Sequence, residues 1–247
     1  MTSPLTSHPS LDRIARVAEA LGDLRDRIVF IGGAIAPLLQ THPPFPRARP
    51  TKDVDGVAAT TSYSDIEALD QALRARGFRT PAVPSTAEKG GARRQTHVHK
   101  WVAPGGIEFD LVPSGTHLGG SGSLWDRYAL ELSETVEIRT GLSIKHANAP
   151  TFLAMKWAAH HDRGKDDPIN STDLEDILAL VASRPTIIDE LQHSPSELRQ
   201  YVRGQTAGFL RNPDAGDLLA AHLNNSTAPR VVIDRVRSAL AQIAHLG

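Results

Sequence analysis

Three aspartates on apolar strands are the residues of this chain best suited to chemistry. Asp53 and Asp55 belong to Thr51-Lys-Asp-Val-Asp, and Asp110 lies within Ile107-Glu-Phe-Asp-Leu-Val-Pro. Because side chains alternate along a strand, Asp53 and Asp55 point to one face while the residue between them points to the other. An unpaired carboxylate on an otherwise hydrophobic strand is costly unless a cation or hydrogen bonds compensate it. The three acids therefore predict a divalent-cation site.

Such a site suits phosphoryl-type transfer from a nucleoside triphosphate. Two magnesium ions roughly 3.5–4 Å apart can stabilise the entering and leaving oxygens together, and carboxylate oxygens are the ligands that magnesium prefers. Gly32 and Gly33 follow the apolar segment Ile28-Val-Phe-Ile. A glycine turn between a strand and a helix lets backbone N–H groups approach a phosphate closely. Together these pieces indicate a metal-dependent nucleotidyltransferase.

Each piece also has a plainer interpretation. A Gly-Gly pair at a strand end is often only a turn, and Asp-x-Asp alone is often a solvated strand edge. Asp110 could instead be paired with Arg93 or Arg94. The conjunction of the pieces in this order is what favours the metal site.

Composition sets the class of protein. The chain has 247 residues, 40% of them hydrophobic and 22% charged, which is ordinary for a globular protein of one large or two modest domains. It has no cysteine, which excludes disulfides, thiolate zinc sites and cysteine nucleophiles and suits a reducing compartment. The first residues do not form a signal-peptide pattern, and no apolar run approaches the ~20 residues that a membrane span needs. We expect a soluble, cytoplasmic protein.

Charge is balanced overall but uneven along the chain. The net charge is −1, so no global field attracts nucleic acid. Basic residues nevertheless gather in two segments near the acids, Pro43–Lys52 and Lys89–Lys100. Either these segments form a basic rim, with Lys52 binding substrate, that holds a triphosphate or an RNA end, or they are solvated loops.

Residues before about 148 predict a small mixed β-sheet with flanking helices. Apolar residues at helical spacing predict an N-terminal helix between Leu11 and Leu24. The other predicted elements are a strand at 28–31, a helix at 34–40, a strand at 53–58, a helix opened by a Ser64–Glu67 capping box, and a hairpin that pairs 95–102 with 107–112.

After residue 148 helix signals follow one another to the C-terminus. Pro150 suits the first turn of a helix, and Thr172–Glu175 and Ser194–Glu197 are predicted as capping boxes. Further helices are expected near 186–192, 195–211, 213–223 and 229–245. The predicted fold class is α+β, with an α/β core at residues 1–147 and a C-terminal helical bundle at 148–247.

Charged residues also cluster in the helical part. Lys156, His160 and Arg163 fall at i, i+4 and i+7 and therefore share one helix face. That face suits a triphosphate, or else Lys156 buries its stem and keeps its amine in water. Asp173 and Asp176 share a face of the next helix, where they orient Lys156 or Arg163 or favour the helix dipole.

In this order the motifs resemble the AbiEii-type nucleotidyltransferases (AbiEii/AbiGii toxin family) of bacterial toxin–antitoxin systems. That group belongs to the DNA polymerase beta-like nucleotidyltransferase superfamily. The resemblance runs from about residue 28 to 182, and its most specific pieces are the two aspartate strands and the helix beginning Asp173-Leu-Glu-Asp-Ile.

The resemblance implies roles for the strand residues. Asp53, Asp55 and Asp110 would bind Mg²⁺ or Mn²⁺, and Asp110 would also activate the attacking hydroxyl. Gly32 and Gly33 would line the triphosphate pocket. Many superfamily members carry Gly-Ser where this chain has Gly-Gly, so the backbone alone would contact phosphate here.

The resemblance also implies roles for residues of the helical part. Lys156 would contact the triphosphate, Arg163 would support that contact, and Asp173 would be the helical aspartate of the group. The distance in sequence from Gly33 to Asp53 is longer than is common in the superfamily because of a proline-rich loop.

The leading hypothesis is a toxin-like enzyme that transfers a nucleotide from a triphosphate to a macromolecular acceptor, releasing pyrophosphate. The expected acceptor is the 3′ end of tRNA, and a separately encoded antitoxin is the expected protein partner. The alternative is the same chemistry on a small molecule, as in aminoglycoside nucleotidyltransferases, or on a protein hydroxyl. A catalytically inert binding protein is a third hypothesis, against which the three acids argue. Eleven histidines raise the question of a zinc hydrolase, but no zinc-ligand spacing occurs.

Overall fold

The structure is a computed structural model that describes residues 8–42, 48–60, 62–81, 99–114, 123–224 and 229–247. The chain forms two compact units. The first comprises Met1–Ile35 and Pro50–Ala147, and the second comprises Ala36–Arg49 and Asn148–Gly247. Residues 36–49 therefore belong to the second unit, although they connect two strands of the first.

The first unit is built on one mixed β-sheet. Within the described residues its strands are β1 (Ile28–Ile31), β2 (Asp53–Ala58), β3 (His99–Ala103), β4 (Ile107–Pro113), β5 (Glu134–Arg139) and β6 (Leu142–His146). Their order is β3-β4-β2-β1-β6-β5. β2 pairs with β4 and β1 with β6 in parallel, and the other neighbours are antiparallel. Together with the helices described below, this sheet confirms the predicted α+β class.

Burial differs between the inner and outer strands. All four residues of β1 are buried, as the unbroken apolar run Ile28-Val-Phe-Ile requires of a strand covered on both faces. β4 instead alternates, with Ile107, Phe109, Leu111 and Pro113 buried and the residues between them, Glu108, Asp110 and Val112, at least partly exposed. One face of β4 therefore joins the core and the other reaches solvent.

Three helices of the described residues flank this sheet. They are α1 (Pro9–Leu21), α3 (Tyr63–Ala75) and α4 (Leu124–Glu131). The predicted Ser64–Glu67 capping box of α3 is wrong. Ser62 is the N-cap, and its hydroxyl accepts from the Asp65 N–H at 3.2 Å while the Asp65 carboxylate accepts from the Ser62 N–H at 3.0 Å. The helix begins earlier because an aspartate at the third helical position can close the same reciprocal pair.

Two described features lie beyond the predicted elements. α4 starts after Ser123, whose hydroxyl accepts from the Trp125 N–H. β5 and β6 form an antiparallel hairpin around Gly141, whose φ of 76° is a conformation that glycine adopts at low cost. Of the predicted hairpin at 95–112, residues 99–103 and 107–113 form β3 and β4, and 95–98 lie outside the described residues.

The second unit is helical throughout its described residues. It contains α2 (Ala36–Leu39), α5 (Ala149–Ala159), α6 (Thr172–Ser183), α7 (Ile187–Gln192), α8 (Ser196–Leu210), α9 (Ala215–Leu223) and α10 (Pro229–Ala244). A π-turn at His160–Gly164 follows α5. No helix among the described residues has both the length and the apolar character to cross a membrane.

Two further capping boxes predicted in this unit are wrong. α6 is capped one residue earlier than expected, by Ser171, whose hydroxyl accepts from the Leu174 N–H at 3.2 Å. α8 starts after Pro195 without a side-chain cap. Ser194 does not cap it because its hydroxyl donates backwards to the Leu191 carbonyl at 2.7 Å.

Candidate functional site

Asp55 and Asp110 are direct neighbours on the parallel strands β2 and β4. The register pairs Asp55 with Asp110 and Asp53 with Glu108, and neighbouring strands lie about 4.8 Å apart. Strand alternation therefore brings four carboxylates onto one face of the sheet, opposite the face on which Val54 is buried. We call the set Asp53, Asp55, Glu108 and Asp110 the acid face.

The glycine turn lies directly against this face. Ile31, the last residue of β1, pairs with Asp55, and Gly32 then turns the chain with a φ of 71°. A Cβ atom at position 32 would lie 2.0 Å from Asp55 Oδ2, which no side chain could tolerate without moving the carboxylate. Gly33 is buried and begins a short 3₁₀ segment that ends at Ile35. Gly32 is thus required both by the backbone and by its contact with Asp55.

Thr51 fixes the chain where β2 begins. Its hydroxyl donates to the Asp53 carbonyl at 3.1 Å, and its N–H donates to the Ser10 hydroxyl at 3.1 Å. Thr51 and Ser10 are both buried, so these bonds are shielded from water. Lys52, between Thr51 and Asp53, is exposed. The start of β2 is therefore tied to α1 while Lys52 remains accessible.

Asp110 is paired with a lysine of the neighbouring strand. Lys100 lies opposite Asp110 in the antiparallel β3–β4 register, and its Nζ donates to Asp110 Oδ2 at 2.8 Å. This bond raises the pKa of Lys100 despite the opposing effect of partial burial, and the charges of Asp110, Glu108 and Asp53 raise it further. Arg93 and Arg94, the partners considered from sequence, lie outside the described residues.

The acid face has the chemistry of a cation site without a completed set of ligands. Among the described residues, no three His, Asp or Glu side chains are arranged to hold a metal ion. The donors nevertheless suit Mg²⁺, because they are carboxylate oxygens, and they already attract a cation in the ammonium of Lys100. A divalent ion bound by Asp110 would have to displace that ammonium. Since the Lys100 side chain is 61% exposed, it has solvent into which it can move.

A second cluster of charges lies in the helical unit. Lys156 Nζ lies 3.0 Å from Asp173 Oδ1 and 2.6 Å from Asp176 Oδ2. The first contact is a hydrogen bond, whereas the second is an ion pair outside hydrogen-bond geometry. The Lys156 side chain is only 7% exposed. Asp173 and Asp176 therefore orient Lys156, one of the two roles considered for these acids from their helical spacing.

Arg163 completes this cluster from the π-turn. Its Nε donates to Asp173 Oδ2 at 2.8 Å and its Nη2 to Asp173 Oδ1 at 3.1 Å. A Cβ at Gly164 would lie 2.4 Å from the Ser171 hydroxyl and 2.6 Å from His160 Nδ1. Glycine at this position therefore lets the turn pack against Ser171, the cap of α6, and brings Arg163 to Asp173.

Arg49 is a member of the cluster that sequence reasoning did not single out as a site residue. The Nε atom of Arg49 lies 3.5 Å from Asp176 Oδ1. Arg49 belongs to the segment before β2 that is part of the helical unit. No local pattern connects Arg49 to Asp176, because the two are separated by more than a hundred residues. The spacing of Asp173 and Asp176 at i and i+3 is the feature of the sequence that indicates a nearby cation.

The ionisation of this cluster is set by competing effects. Burial alone raises the pKa of Asp173, but the hydrogen bonds from Arg163 and the charges of Lys156 and Arg163 outweigh it, so the pKa lies below its usual value. Burial lowers the pKa of neighbouring His160, and the charge of Asp173 opposes this only in part. His160 Nδ1 lies 2.8 Å from the Ser171 hydroxyl. The cluster is therefore built around an ionised Asp173.

Comparison with solved structures identifies a protein of the same fold. The crystal structure of an antigenic nucleotidyltransferase-like protein from Paracoccidioides brasiliensis matches with a TM-score of 0.50 and 22% sequence identity, over 89% of this chain and 95% of that chain. No protein-family model and no curated protein matches the chain. At this identity the likeness shows a shared fold and nothing further.

Replacing Gly32 with Ala should destabilise the first unit and displace the Asp55 carboxylate. A non-glycine residue at positive φ costs about 1–3 kcal/mol, and the new Cβ would also collide with Asp55 Oδ2. Gly141→Ala is the matched control, because Gly141 has a φ of 76° with nothing within 4 Å of its would-be Cβ. Thermal unfolding should show a larger loss of stability for Gly32→Ala. Equal losses would contradict the contact with Asp55.

Asp173→Asn should destabilise the protein in a pH-dependent manner. Because the native pKa of Asp173 is lowered, its contribution is complete above the unfolded-state pKa of about 3.9. It is lost as the pH falls through the native pKa. The variant should therefore be less stable than the wild type at pH 7, on the order of 3 kcal/mol.

The difference between the two proteins should narrow in acid, as measured by urea unfolding at a series of pH values. Asp166→Asn, which removes an exposed carboxylate from the loop before α6, is the control and should change stability little. A gap between wild type and Asp173→Asn that stayed constant down to pH 2 would refute the ionised pairing.

Proposed function

We propose that this protein is a metal-dependent nucleotidyltransferase, toxin-like in its role, that transfers a nucleoside monophosphate from a triphosphate to the 3′ end of tRNA. The observation that carries the proposal is the contact of the Gly32 turn with Asp55, directly beside Asp110. Fold alone does not imply function. The proposal is instead supported by a glycine turn that meets a carboxylate pair, on a fold shared with a nucleotidyltransferase-like protein.

The proposed roles follow from where each residue lies. Asp53, Asp55 and Asp110 would hold Mg²⁺ or Mn²⁺, which supplies charge stabilisation for the phosphoryl oxygens during transfer. Gly32 and Gly33 would let the backbone approach the triphosphate. The β2–β4 register fixes the positions of these acids relative to one another.

The proposed transfer reaction is a displacement at the α-phosphorus of the triphosphate. The oxygen of the acceptor hydroxyl forms a bond to the α-phosphorus, and the bond from that phosphorus to the β-phosphate oxygen breaks. Pyrophosphate leaves with the bonding electron pair. The hydroxyl proton passes to Asp110, the residue to which the family resemblance assigns activation of the attacking group.

Lys156 and Asp173 match the helical pair of the AbiEii-type group, and Arg163 binds the same aspartate. The resemblance assigns Lys156 to the triphosphate, a role that would need the amine to leave a buried position between two carboxylates. We propose instead that in the conformation described here Lys156 acts as a positioning residue for Asp173. A toxin role and a separately encoded antitoxin are supported by the order of the motifs, and a cytoplasmic location is supported by the cysteine-free composition.

Nucleotide transfer can be tested with purified protein, Mg²⁺, α-labelled triphosphates and total tRNA. We expect labelled tRNA and released pyrophosphate. Asp53→Asn and Asp110→Asn should each reduce labelling by about 100-fold or more, the scale seen when one group that stabilises developing charge is removed.

Glu67→Gln is the matched control for this assay. It removes an exposed carboxylate from α3 of the same unit, and its activity should equal that of the wild type. Circular dichroism should show that all three variants are folded. No labelling with any of the four triphosphates, with either Mg²⁺ or Mn²⁺, would overturn tRNA as the acceptor. Undiminished labelling by Asp53→Asn would overturn the role of the acid face.

Lys100→Met should strengthen metal binding. Lys100 competes with a metal ion for Asp110, so removing its charge should lower the dissociation constant for Mn²⁺ by roughly fivefold, given about 1 kcal/mol for unit charges 4 Å apart in water. Electron paramagnetic resonance of free Mn²⁺ measures this without turnover.

Lys145→Met is the control for the change in net charge. Its Nζ donates to the Asp26 carbonyl at 2.9 Å, so it has a hydrogen-bonding role away from Asp110, and the variant should bind Mn²⁺ as the wild type does. If Lys100→Met bound Mn²⁺ no better than Lys145→Met, the proposed exchange at Asp110 would be incorrect.

A further inference from the structure

A polar groove lies in the first unit beside the start of β2. It encloses about 830 Å³, open solvent included, and is formed by α1, Lys52 and the β3–β4 turn. Its charged lining residues are Asp12, Arg13, Arg16, Lys52 and Glu108. The groove is therefore open to solvent and is bordered by residues of both signs.

The cations of this groove are less neutralised than the acids. Asp12 is bound by Arg139, which also binds Glu19. Glu108 lies near enough to Lys100 that its charge helps to raise the pKa of that lysine. Asp12 thus already has a cation outside the groove, and Glu108 shares the charge of a lysine that is bonded to Asp110. Arg13, Arg16 and Lys52 leave the groove with positive character.

Arg13 has unused hydrogen-bonding capacity. Its Nη1 atom is buried and has no hydrogen-bond partner in the part of the chain that the structure describes. A buried donor without an acceptor costs free energy, whereas a guanidinium carries five donors in a fork that matches phosphate. An anion that reached this atom, after a movement of the side chain that exposes it, would reduce that cost.

Arg16 can lie over the β3–β4 turn because Gly105 in that turn has no side chain. A Cβ at Gly105 would lie 2.5 Å from Arg16 Nη2, so the guanidinium rests where any other residue would place an atom. Gly106, the next residue, has nothing within 4 Å of its would-be Cβ. Gly105 therefore positions Arg16 in the groove, and Gly106 does not.

The groove adjoins the acid face. Lys52 immediately precedes Asp53, and Glu108, which lines the groove, is the register partner of Asp53 on β4. A ligand in the groove would thus reach the residues proposed to carry the transfer. A chain of phosphates is the kind of substrate that suits a cationic groove leading to such a site, since phosphate contacts fix position without reading sequence.

We propose that this groove binds the phosphate backbone of the acceptor polynucleotide, with Arg13 and Arg16 as the phosphate contacts. The assignment deepens the proposed function, on which it rests for the identity of the acceptor. It names the region through which the strand approaches Asp53.

Binding can be measured apart from chemistry. Fluorescence anisotropy of a short labelled single-stranded RNA, in EDTA and without triphosphate, gives the dissociation constant. If each arginine neutralises one phosphate, the double variant Arg13→Gln/Arg16→Gln should lower the slope of log affinity against log salt by about 1.4, which is about 25-fold in affinity at 0.1 M salt. Arg27→Gln/Arg127→Gln removes two exposed arginines of the same unit and should bind as the wild type does.

The two glycines of the turn supply a second, matched test. Gly105→Ala and Gly106→Ala place the same side chain at similar φ values of 86° and 81°, so the backbone strain is alike. Only Gly105→Ala forces Arg16 to move. We expect weaker RNA binding for Gly105→Ala than for Gly106→Ala at equal thermal stability.

Several results would overturn the proposal. One is an unchanged RNA affinity in the double arginine variant, and another is an equal RNA affinity in the two glycine variants. The others are binding of polyglutamate as tight as that of RNA, and a protein that binds inorganic phosphate but not RNA. Failure of the proposed function is distinguishable, because Asp53→Asn should keep its RNA affinity. If the protein bound RNA in this groove but transferred no nucleotide, the proposed function would be refuted and the proposal that the groove binds RNA would stand.

Discussion

The proposed chemistry depends on one constraint, the close approach of Asp55 to the turn that ends β1. Ile31 pairs with Asp55, so Gly32 must turn the chain directly against the carboxylate, where only glycine leaves room. The parallel register then sets Asp110 beside Asp55. Because like charges on neighbouring strands repel, this crowding requires a cation nearby, and Lys100 provides one. One backbone arrangement thus fixes the turn, gathers the acids and creates the need for positive charge.

In the described part of the chain two lysines form ion pairs with aspartates, and the different burial of these lysines limits what each can do. The Lys100 side chain is 61% exposed, so water can replace its contact with Asp110 at little cost. Lys156 is 7% exposed, and the carboxylates of Asp173 and Asp176 beside it are 2% and 3% exposed. Withdrawing Lys156 would leave buried charge uncompensated, which is strongly destabilising. Lys100 is therefore suited to exchange with a metal ion, whereas Lys156 is suited to hold α5 and α6 together.

Local patterns were sufficient for some of these features and not for others. A shared face for Asp53 and Asp55 follows from the two-residue period of a strand, which depends only on the local backbone. The Lys100 partner of Asp110 depends on the β3–β4 register and was not identified from sequence. The β5–β6 hairpin has a local signal, a Thr-Gly turn at 140–141 between alternating segments. The groove combines α1, the start of β2 and the β3–β4 turn, and only tertiary packing makes these segments neighbours.

The cations of the groove and the acid face adjoin where β2 begins. Lys52 lines the groove and Asp53 belongs to the acid face, with Glu108 at the boundary between them. The chain as a whole carries a net charge of −1, so attraction of a polynucleotide must come from charges within about one screening length, some 8 Å at physiological salt. Backbone contacts of this kind position a strand but do not read its bases. Under the proposed function, selection of the acceptor would therefore have to arise at the acid face rather than in the groove.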